Sequence, residues 1–341
     1  MNGAPPMSPE QAAQLLARAE RMFGGNEVSS AIPRRKAIIF TDVASAKAHG
    51  AAVDEVKAQR AVDALRRIRT RGGIPRVEDL PAKDEVLALE ICIRFMRPAL
   101  LVQGGRVKLD PQISWTASQT TAIEEALPAI GSIGIPDSSD PLSAPPRIGI
   151  ATCFAIGRRA VVTNVHVVEE IARKRCRLDE ALVRFEVEWD TAERSAPVRI
   201  LGELGRCHGK DVVILETETD CPLAGLSVAE TTNVVPLQTI VAVGHPLRDD
   251  ARNPAWSQLM FNGAFGVKRV SPGTILGVDG ETVLHDASTL GGNSGSPLLD
   301  LDTGRVVAVH SLGQFALKNE AVGTGALRSE PELRARVERW V

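Results

Sequence analysis

The spacing of apolar positions divides the chain into two parts. Up to about residue 127, apolar residues recur every three or four positions, which is the pattern of amphipathic helices. Capping residues and paired glycines set the expected ends of these helices. The pattern predicts helices from Ser8 to Gly24-Gly25 and over 44–71, 85–96 and 118–127, and a hairpin over 99–109 that turns at Gly104-Gly105.

Short β-type runs replace the helical pattern in the second part. The segment 136–146, PDSSDPLSAPP, predicts a linker or a long surface loop. The apolar runs that follow are separated by Gly, Asp and Pro turns, with no helices expected between them, which indicates an antiparallel sandwich or barrel. These runs are IGIATCFAI, AVVTNV, ALVRFEVEW, APVRIL, DVVIL, TIVAVG, TVLHDA and RVVAVHSL. A final amphipathic helix is expected over 329–341.

The boundary between the two parts has two interpretations. IGSIGI, residues 130–135, either precedes a linker or is the first strand of the β-rich part, which would make 136–146 a loop within it. We place the boundary between 127 and 128. Residues 1–127 are then a mostly α-helical interaction region, and 128–341 are a mainly β domain that ends in a helix.

Composition and charge exclude several classes of partner. Of the 341 residues, 44% are hydrophobic and 24% are charged, which is typical of a globular chain. A net charge of −2 provides no overall positive field for nucleic acid, and the arginine-rich stretch 60–76 has no aromatic residues for base stacking. No apolar run approaches the roughly 20 residues that span a membrane, and the first residues lack a signal-peptide pattern. We expect no nucleic-acid and no membrane partner.

The cysteines indicate a reducing compartment. They are odd in number, scattered and without a Cys-x-x-Cys pair: Cys92, Cys153, Cys176, Cys207 and Cys221. Such a set favours neither a disulfide framework nor a structural zinc site. The sequence therefore predicts a cytoplasmic protein with isolated thiols and no bound metal.

Three short segments of the β-rich part contain the groups that acyl transfer needs. His166 lies in TNVHVV, Asp211 opens DVVIL, and Ser294 lies in the glycine-rich turn GGNSGSP. A serine hydroxyl is a weak nucleophile until an imidazole takes its proton, and the imidazole needs a carboxylate to fix its tautomer. Glycines without Cβ atoms let the turn point successive N–H groups at one spot, where an oxyanion would form. Each segment alone is a weak signal, and their conjunction carries the prediction.

In this order and context, the three segments resemble those of the chymotrypsin-like (trypsin-fold) serine proteases of the bacterial type. The resemblance covers about 148–327. It implies a double antiparallel β-barrel for the domain at 128–341. It also implies a role for each matching residue: Ser294 as nucleophile, His166 as general base and acid, Asp211 as the orienting carboxylate, and the N–H groups of Gly292 and Ser294 as the oxyanion hole.

Two departures from the family concern its control. Val167 stands where many secreted members have a cysteine, which agrees with a reducing compartment. Asn293 stands where zymogen-type members have an aspartate that pairs with a new N-terminus, so this kind of activation is not expected. The candidate for control is instead the region 1–127, alone or with a regulatory protein partner.

The resemblance also implies a primary pocket for the substrate side chain. Its lining residues would be Thr289, His310, Ser311 and Gly313. Thr289 and His310 are similar to the pocket of glutamyl endopeptidases and viral 3C-type proteases, which implies cleavage after Glu or Gln. Two alternatives stay open: His310 is a strand residue that points elsewhere, or Asp286, two positions earlier than the family requires, receives a basic side chain.

The predicted function is a serine endopeptidase that cleaves protein or peptide substrates through an acyl-enzyme, without a cofactor. One alternative is a non-catalytic scaffold for protein interactions. Another is a protease that acts mainly on itself, within its own segment 138–146.

Overall fold

The computed structural model describes residues 7–23, 26–28, 30–32, 35, 53–71, 77–111, 113–136, 147–192, 195–222, 225–230, 233–248, 260–314 and 318–331. The described residues form two compact units. The first contains those up to Pro98 together with 260–262, and the second contains the others from Ala99 onward.

The first unit is helical. It contains α1 (Pro9–Phe23), α2 (Glu55–Arg71), a short 3-10 turn (Val77–Asp79) and α3 (Lys83–Met96). Helix α2 begins where the Asp54 carboxylate accepts the Lys57 N–H, 3.0 Å away. The helices predicted from Ser8 and over 85–96 are present, as is the described part of the one over 44–71. Residues 44–52 and both glycine pairs lie outside the described residues.

The second unit begins with a hairpin and a helix. Strands β1 (Leu100–Gln103) and β2 (Arg106–Lys108) flank the turn at Gly104-Gly105, as predicted. Helix α4 (Ala117–Ala126) starts at a capping box, in which Thr116 accepts the Gln119 N–H at 3.2 Å. Both elements belong to the same unit as the strands that follow. A functional boundary at 127/128 stays a prediction.

Six strands form the first closed barrel. They are β3 (Ile130–Pro136), β4 (Arg147–Gly157), β5 (Ala160–Thr163), β6 (Leu182–Arg184), β7 (Val198–Arg206) and β8 (Val213–Thr217). Their order around the barrel is β3-β4-β5-β8-β7-β6. IGSIGI is therefore its first strand, and of the expected run ALVRFEVEW only Leu182–Arg184 is a strand.

A helix interrupts this barrel between β5 and β6, where none was expected. Helix α5 covers Val165–Arg173, and a 3-10 turn (Leu178–Glu180) follows it. Val167 and Ile171, one helical turn apart, are buried on its inner side. Burial of this apolar stripe stabilises a helix over a segment whose valines favour strands.

The remaining six strands form the second closed barrel. They are β9 (Thr239–Gly244), β10 (Arg269–Asp279), β11 (Thr282–His285), β12 (Pro297–Asp300), β13 (Val306–Gln314) and β14 (Lys318–Gly323). The sheet order is β11-β14-β13-β12-β9-β10, and a further β10–β11 pairing closes it. The β1-β2 hairpin extends this sheet from β10.

Both barrels are antiparallel, so the predicted mainly β fold, a double barrel preceded in the chain by a mostly helical N-terminal region, is confirmed. Apolar side chains form the cores of the barrels, such as Phe154 and Ile214 in the first and Ile275 and Leu298 in the second. Helix α6 (Thr324–Ser329) follows β14, and the expected helix over 329–341 lies almost wholly outside the described residues. In the described part of the chain, no helix is both long and apolar enough to cross a membrane.

Candidate active site

His166 lies in the first turn of α5, where both carboxylate oxygens of Asp211 bind it. Its backbone N–H donates to Asp211 Oδ1 at 3.0 Å, and its ring Nδ1 lies 2.6 Å from Asp211 Oδ2. Asn164, which directly precedes the helix, donates from its side chain to the Asp211 carbonyl oxygen at 2.7 Å. These bonds fix the position of the imidazole and direct its other nitrogen, Nε2, toward Ser294.

Asp211 lies just before β8 and stays ionised. Partial burial alone would raise its pKa, but hydrogen bonds from His166 and Ser311 outweigh this effect and hold the pKa below its ordinary value. An ionised carboxylate beside Nδ1 requires that Nδ1 bear the proton. Nε2 of His166 is then a hydrogen-bond acceptor.

Ser294 completes the line of hydrogen bonds. Its Oγ lies 2.8 Å from His166 Nε2, although the two residues are 128 positions apart. The residues that sequence analysis selected for acyl transfer therefore meet in one hydrogen-bonded chain: Asp211, His166, Ser294. This arrangement can transfer the hydroxyl proton of Ser294 to the imidazole.

The turn that contains Ser294 depends on glycine at two positions. Gly292 and Gly295 have φ angles of 89° and 84°, in a region that favours glycine. A Cβ at Gly292 would collide with the His245 carbonyl oxygen, and one at Gly295 would collide with that of Thr152. No side chain larger than hydrogen fits at either position.

The backbone N–H groups of this turn fall into two sets. Those of Asn293, Gly295 and Ser296 donate to carbonyl oxygens at 3.1, 2.9 and 2.9 Å. Those of Gly291, Gly292 and Ser294 have no acceptor among the described residues, and of these Gly292 and Ser294 flank Asn293. Two free donors on either side of Asn293, beside the Ser294 hydroxyl, can stabilise an oxyanion.

Of the predicted pocket residues, His310 lies beside this turn on β13. Its backbone N–H donates to the Ser296 carbonyl and its own carbonyl accepts the Gly295 N–H, both at 2.9 Å. The ring is buried, and its Nδ1 lies 3.1 Å from Nε2 of His285. Burial, with a smaller contribution from His166, lowers the pKa of His310 to about 3, so the ring is neutral at neutral pH.

The other predicted pocket residues have different surroundings. Thr289 and Gly313 are neighbours, since a Cβ at Gly313 would lie 3.4 Å from Thr289 Oγ1. Ser311 instead donates its hydroxyl hydrogen bond to Asp211 Oδ2. It is the extra residue of a β-bulge, because His310 pairs with Ala321 and Leu312 with Glu320 across β14. Sequence analysis missed this contact with Asp211, and no local signal indicates it.

Asp286 is buried, and Thr274 binds both of its carboxylate oxygens. The Thr274 N–H donates to Oδ1 at 2.6 Å and its hydroxyl to Oδ2 at 3.1 Å. A carboxylate held in this way is poorly placed to receive a basic substrate side chain.

In the part of the chain that the structure describes, no three His, Cys, Asp or Glu residues lie close enough together to hold a metal ion. None of the five cysteines, all of which lie among the described residues, forms a disulfide bond. Burial raises the pKa of Cys207 to about 12 and that of Cys153 well above its usual value, so these two are poor nucleophiles.

Comparison with known proteins gives one family match. Residues 151–309 match the family model described as the trypsin-like peptidase domain. No curated protein matches the chain in sequence. Among solved structures, the chain is similar to the crystal structure of Rv3671c from M. tuberculosis H37Rv, a serine-to-alanine mutant in an inactive form. That match has 17% identity and a TM-score of 0.42, and it covers 67% of this chain and 96% of the other.

Proposed function

Since residues 151–309 match the trypsin-like peptidase domain, we propose that this chain is a serine endopeptidase with His166, Asp211 and Ser294 as its catalytic triad. The observation that carries the proposal is the continuous hydrogen bonding from Asp211 through His166 to Ser294. The free N–H groups of Gly292 and Ser294 beside it support the role of an oxyanion hole. A peptidase domain implies a protein or peptide substrate.

In the proposed reaction, Ser294 Oγ attacks the peptide carbonyl while His166 Nε2 takes its proton. The oxyanion of the tetrahedral intermediate accepts hydrogen bonds from the N–H groups of Gly292 and Ser294. His166 then protonates the leaving amine, and an acyl-enzyme remains. Water, activated by His166, hydrolyses the acyl-enzyme by the same route. Asp211 stays ionised throughout and stabilises the imidazolium.

We extend the proposal to cleavage after Glu or Gln, with His310 in the primary pocket. Nδ1 of His310 faces His285, so Nε2 is the nitrogen available to a substrate side chain. When His285 donates to Nδ1, Nε2 of the neutral His310 bears the proton and can donate to a carboxylate or an amide oxygen. The occupied carboxylate of Asp286 supports this preference over a basic side chain.

Control by the N-terminal region and a cytoplasmic location also belong to the proposal. The absence of disulfide bonds among the five described cysteines is consistent with a reducing compartment. A deletion that tests the regulatory role should end at Pro98 instead of 127, because the residues from Ala99 belong to the unit that contains the barrels. If the deleted chain, shown to be folded by thermal melting, keeps the activity and partners of the full chain, the regulatory role is wrong.

The test of the main proposal is labelling with a fluorophosphonate probe. The wild-type chain should react, and Ser294→Ala and His166→Ala should not. A panel of peptides that differ at the residue before the cut should then give preferential cleavage after Glu or Gln. No labelling of the wild type would favour the non-catalytic scaffold. Cleavage confined to its own segment 138–146, absent in Ser294→Ala, would favour the self-acting protease.

A further inference from the structure

Thr152 connects the first barrel to the nucleophile turn through both its backbone and its side chain. It is fully buried on β4. Its hydroxyl donates to the Gly292 carbonyl oxygen at 2.7 Å, and its N–H donates to the Ser294 carbonyl oxygen at 2.9 Å. The same hydroxyl accepts the His245 N–H at 2.9 Å. A hydroxyl has one proton and two lone pairs, so it fills both roles at once.

The two carbonyl groups that Thr152 binds belong to Gly292 and Ser294, the two residues whose N–H groups form the proposed oxyanion hole. The Ser294 N–H lies in the peptide between Asn293 and Ser294, and Thr152 holds the peptides on both sides of it. The Gly292 N–H lies in the peptide between Gly291 and Gly292. The carbonyl oxygen of that peptide accepts the Leu247 N–H at 2.7 Å. Because a peptide is planar, the bond to the Gly291 carbonyl sets the direction of the Gly292 N–H, whereas Thr152 restrains the Ser294 N–H by fixing the two peptides that flank its own.

The internal hydrogen bonds of this turn, from the N–H groups of Asn293 and Ser296, leave the Gly292 and Ser294 carbonyl groups to partners outside it. Glycine at 291, 292 and 295 permits backbone angles that other residues cannot adopt. Rotation of one peptide would turn an N–H away from the oxyanion and put a carbonyl oxygen in its place. Such a change would remove the stabilisation and add repulsion.

We propose that Thr152 is a positioning residue that holds the nucleophile turn with the N–H groups of Gly292 and Ser294 directed at the oxyanion. The inference rests on the proposed function. The hydroxyl of Thr152 does not touch the substrate and acts through the Gly292 carbonyl. Binding of the substrate side chain does not involve this hydroxyl, so its loss affects the rate of acylation and leaves substrate affinity nearly unchanged.

Thr152→Val tests the proposal, because valine keeps the shape of threonine and its preference for strands but lacks the hydroxyl. Thr152→Ser keeps the hydroxyl and is the conservative variant. Thr217→Val is the matched control. It removes another buried hydroxyl of the first barrel, which donates to the Thr219 carbonyl oxygen at 2.9 Å, away from the turn.

The reaction to follow is the labelling of Ser294 by a fluorophosphonate. Its Oγ forms a bond to phosphorus, fluoride leaves, and His166 takes the hydroxyl proton. We expect Thr152→Val to label about 10- to 100-fold more slowly than the wild type. Thr152→Ser and Thr217→Val should label within about threefold of it. Hydrolysis of p-nitrophenyl acetate should show the same loss in kcat with little change in KM.

Each outcome bears on one proposal. A wild type that does not react contradicts the proposed function. A reactive wild type with a folded Thr152→Val that labels equally fast overturns the positioning role. If Thr152→Val does not fold, Thr152→Ser is the test. A folded serine variant that labels about 10- to 100-fold more slowly than the wild type would show that the hydroxyl does not account for the labelling rate. That result would also overturn the positioning role.

Discussion

Nε2 of His285 lies 3.1 Å from Nδ1 of His310, and the two rings meet edge to face at an angle of 79°. Both side chains are buried. In this contact one nitrogen donates and the other accepts, so the tautomers of the two rings are coupled, and the neutral His310 bears its proton on Nε2 when His285 donates. The residue that contacts the substrate in our proposal therefore depends on a second histidine 25 positions away, which sequence analysis did not place in the pocket.

Replacement of His285 should alter substrate preference more than the basal rate. In His285→Leu, the donor to His310 Nδ1 is removed. The hydrogen bond that stabilises the His310 tautomer with its proton on Nε2 is then lost. We expect the ratio of kcat/KM for Glu over Leu substrates to fall about tenfold, equal to about 1.4 kcal/mol. The measurement is a peptide panel on folded variants. His208→Gln, at an exposed histidine, serves as the control. An unchanged kcat/KM ratio in His285→Leu would contradict the proposed role of the His285–His310 contact.

The two neighbouring glycines of the nucleophile turn should respond differently to alanine. A Cβ at Gly292 would collide with the His245 carbonyl oxygen, and its φ of 89° disfavours any other residue. No atom lies within 4 Å of a Cβ at Gly291. We expect Gly292→Ala to lose fluorophosphonate labelling at least about 100-fold and Gly291→Ala to keep it. Equal labelling of both variants would show that the turn is not the oxyanion site.

Ser311 should contribute to kcat and little to substrate binding by its side chain. Its hydroxyl donates to Asp211, and this bond is one of those that keep the pKa of Asp211 low. Loss of one hydrogen bond to a charged group, worth about 1.5 kcal/mol, should lower kcat about tenfold in Ser311→Ala. Steady-state kinetics check this result. A rise in KM at constant kcat would instead place the side chain in the substrate pocket, as the sequence first indicated.

Stability should decrease as the pH falls below about 6.5, because buried histidines resist protonation. Burial lowers the folded-state pKa of His310 to about 3, while that of the unfolded chain stays near its usual value. Between these two values the unfolded state binds a proton that the folded state does not. The free energy of unfolding therefore falls with decreasing pH, by at most about 1.4 kcal/mol per pH unit for each such histidine. His245 adds to the effect, since burial, together with Lys268 and Arg184, lowers its pKa too.

Urea unfolding in the Ser294→Ala background, which prevents self-digestion, measures this dependence between pH 7.5 and 5. Adding His310→Gln should make the slope shallower, because one of the contributing groups is removed. The same slope with and without His310 would mean that its folded-state pKa is close to the ordinary one.

Several strands were predictable from alternation of apolar residues, and others were not. The runs around Thr239–Gly244 and Val213–Thr217 are apolar and bounded by turn residues, and both are strands. The segment that forms β10 contains Pro272 and Gly273, which normally argue against a paired strand. Glycine is tolerated there because it lets the backbone of Ala287 approach closely, and that neighbour is known only from the closed barrel.

The kinds of residue and their order along the chain were sufficient to select Ser294, His166 and Asp211, because acyl transfer needs a nucleophile, a base and a carboxylate in recognisable local contexts. The same local patterns predicted the double barrel through the family resemblance. The sequence alone therefore determined which residues we propose for the chemistry of the site, and it indicated the class of fold that contains them.

The tertiary structure decided which other groups support that chemistry. Thr152 reaches Gly292 across 140 positions, and Ser311 reaches Asp211 across 100. Such bonds depend on the pairing of distant strands in the two closed barrels and on a bulge in β13. Periodicity and propensity describe only neighbours along the chain, so they contain no information about these contacts.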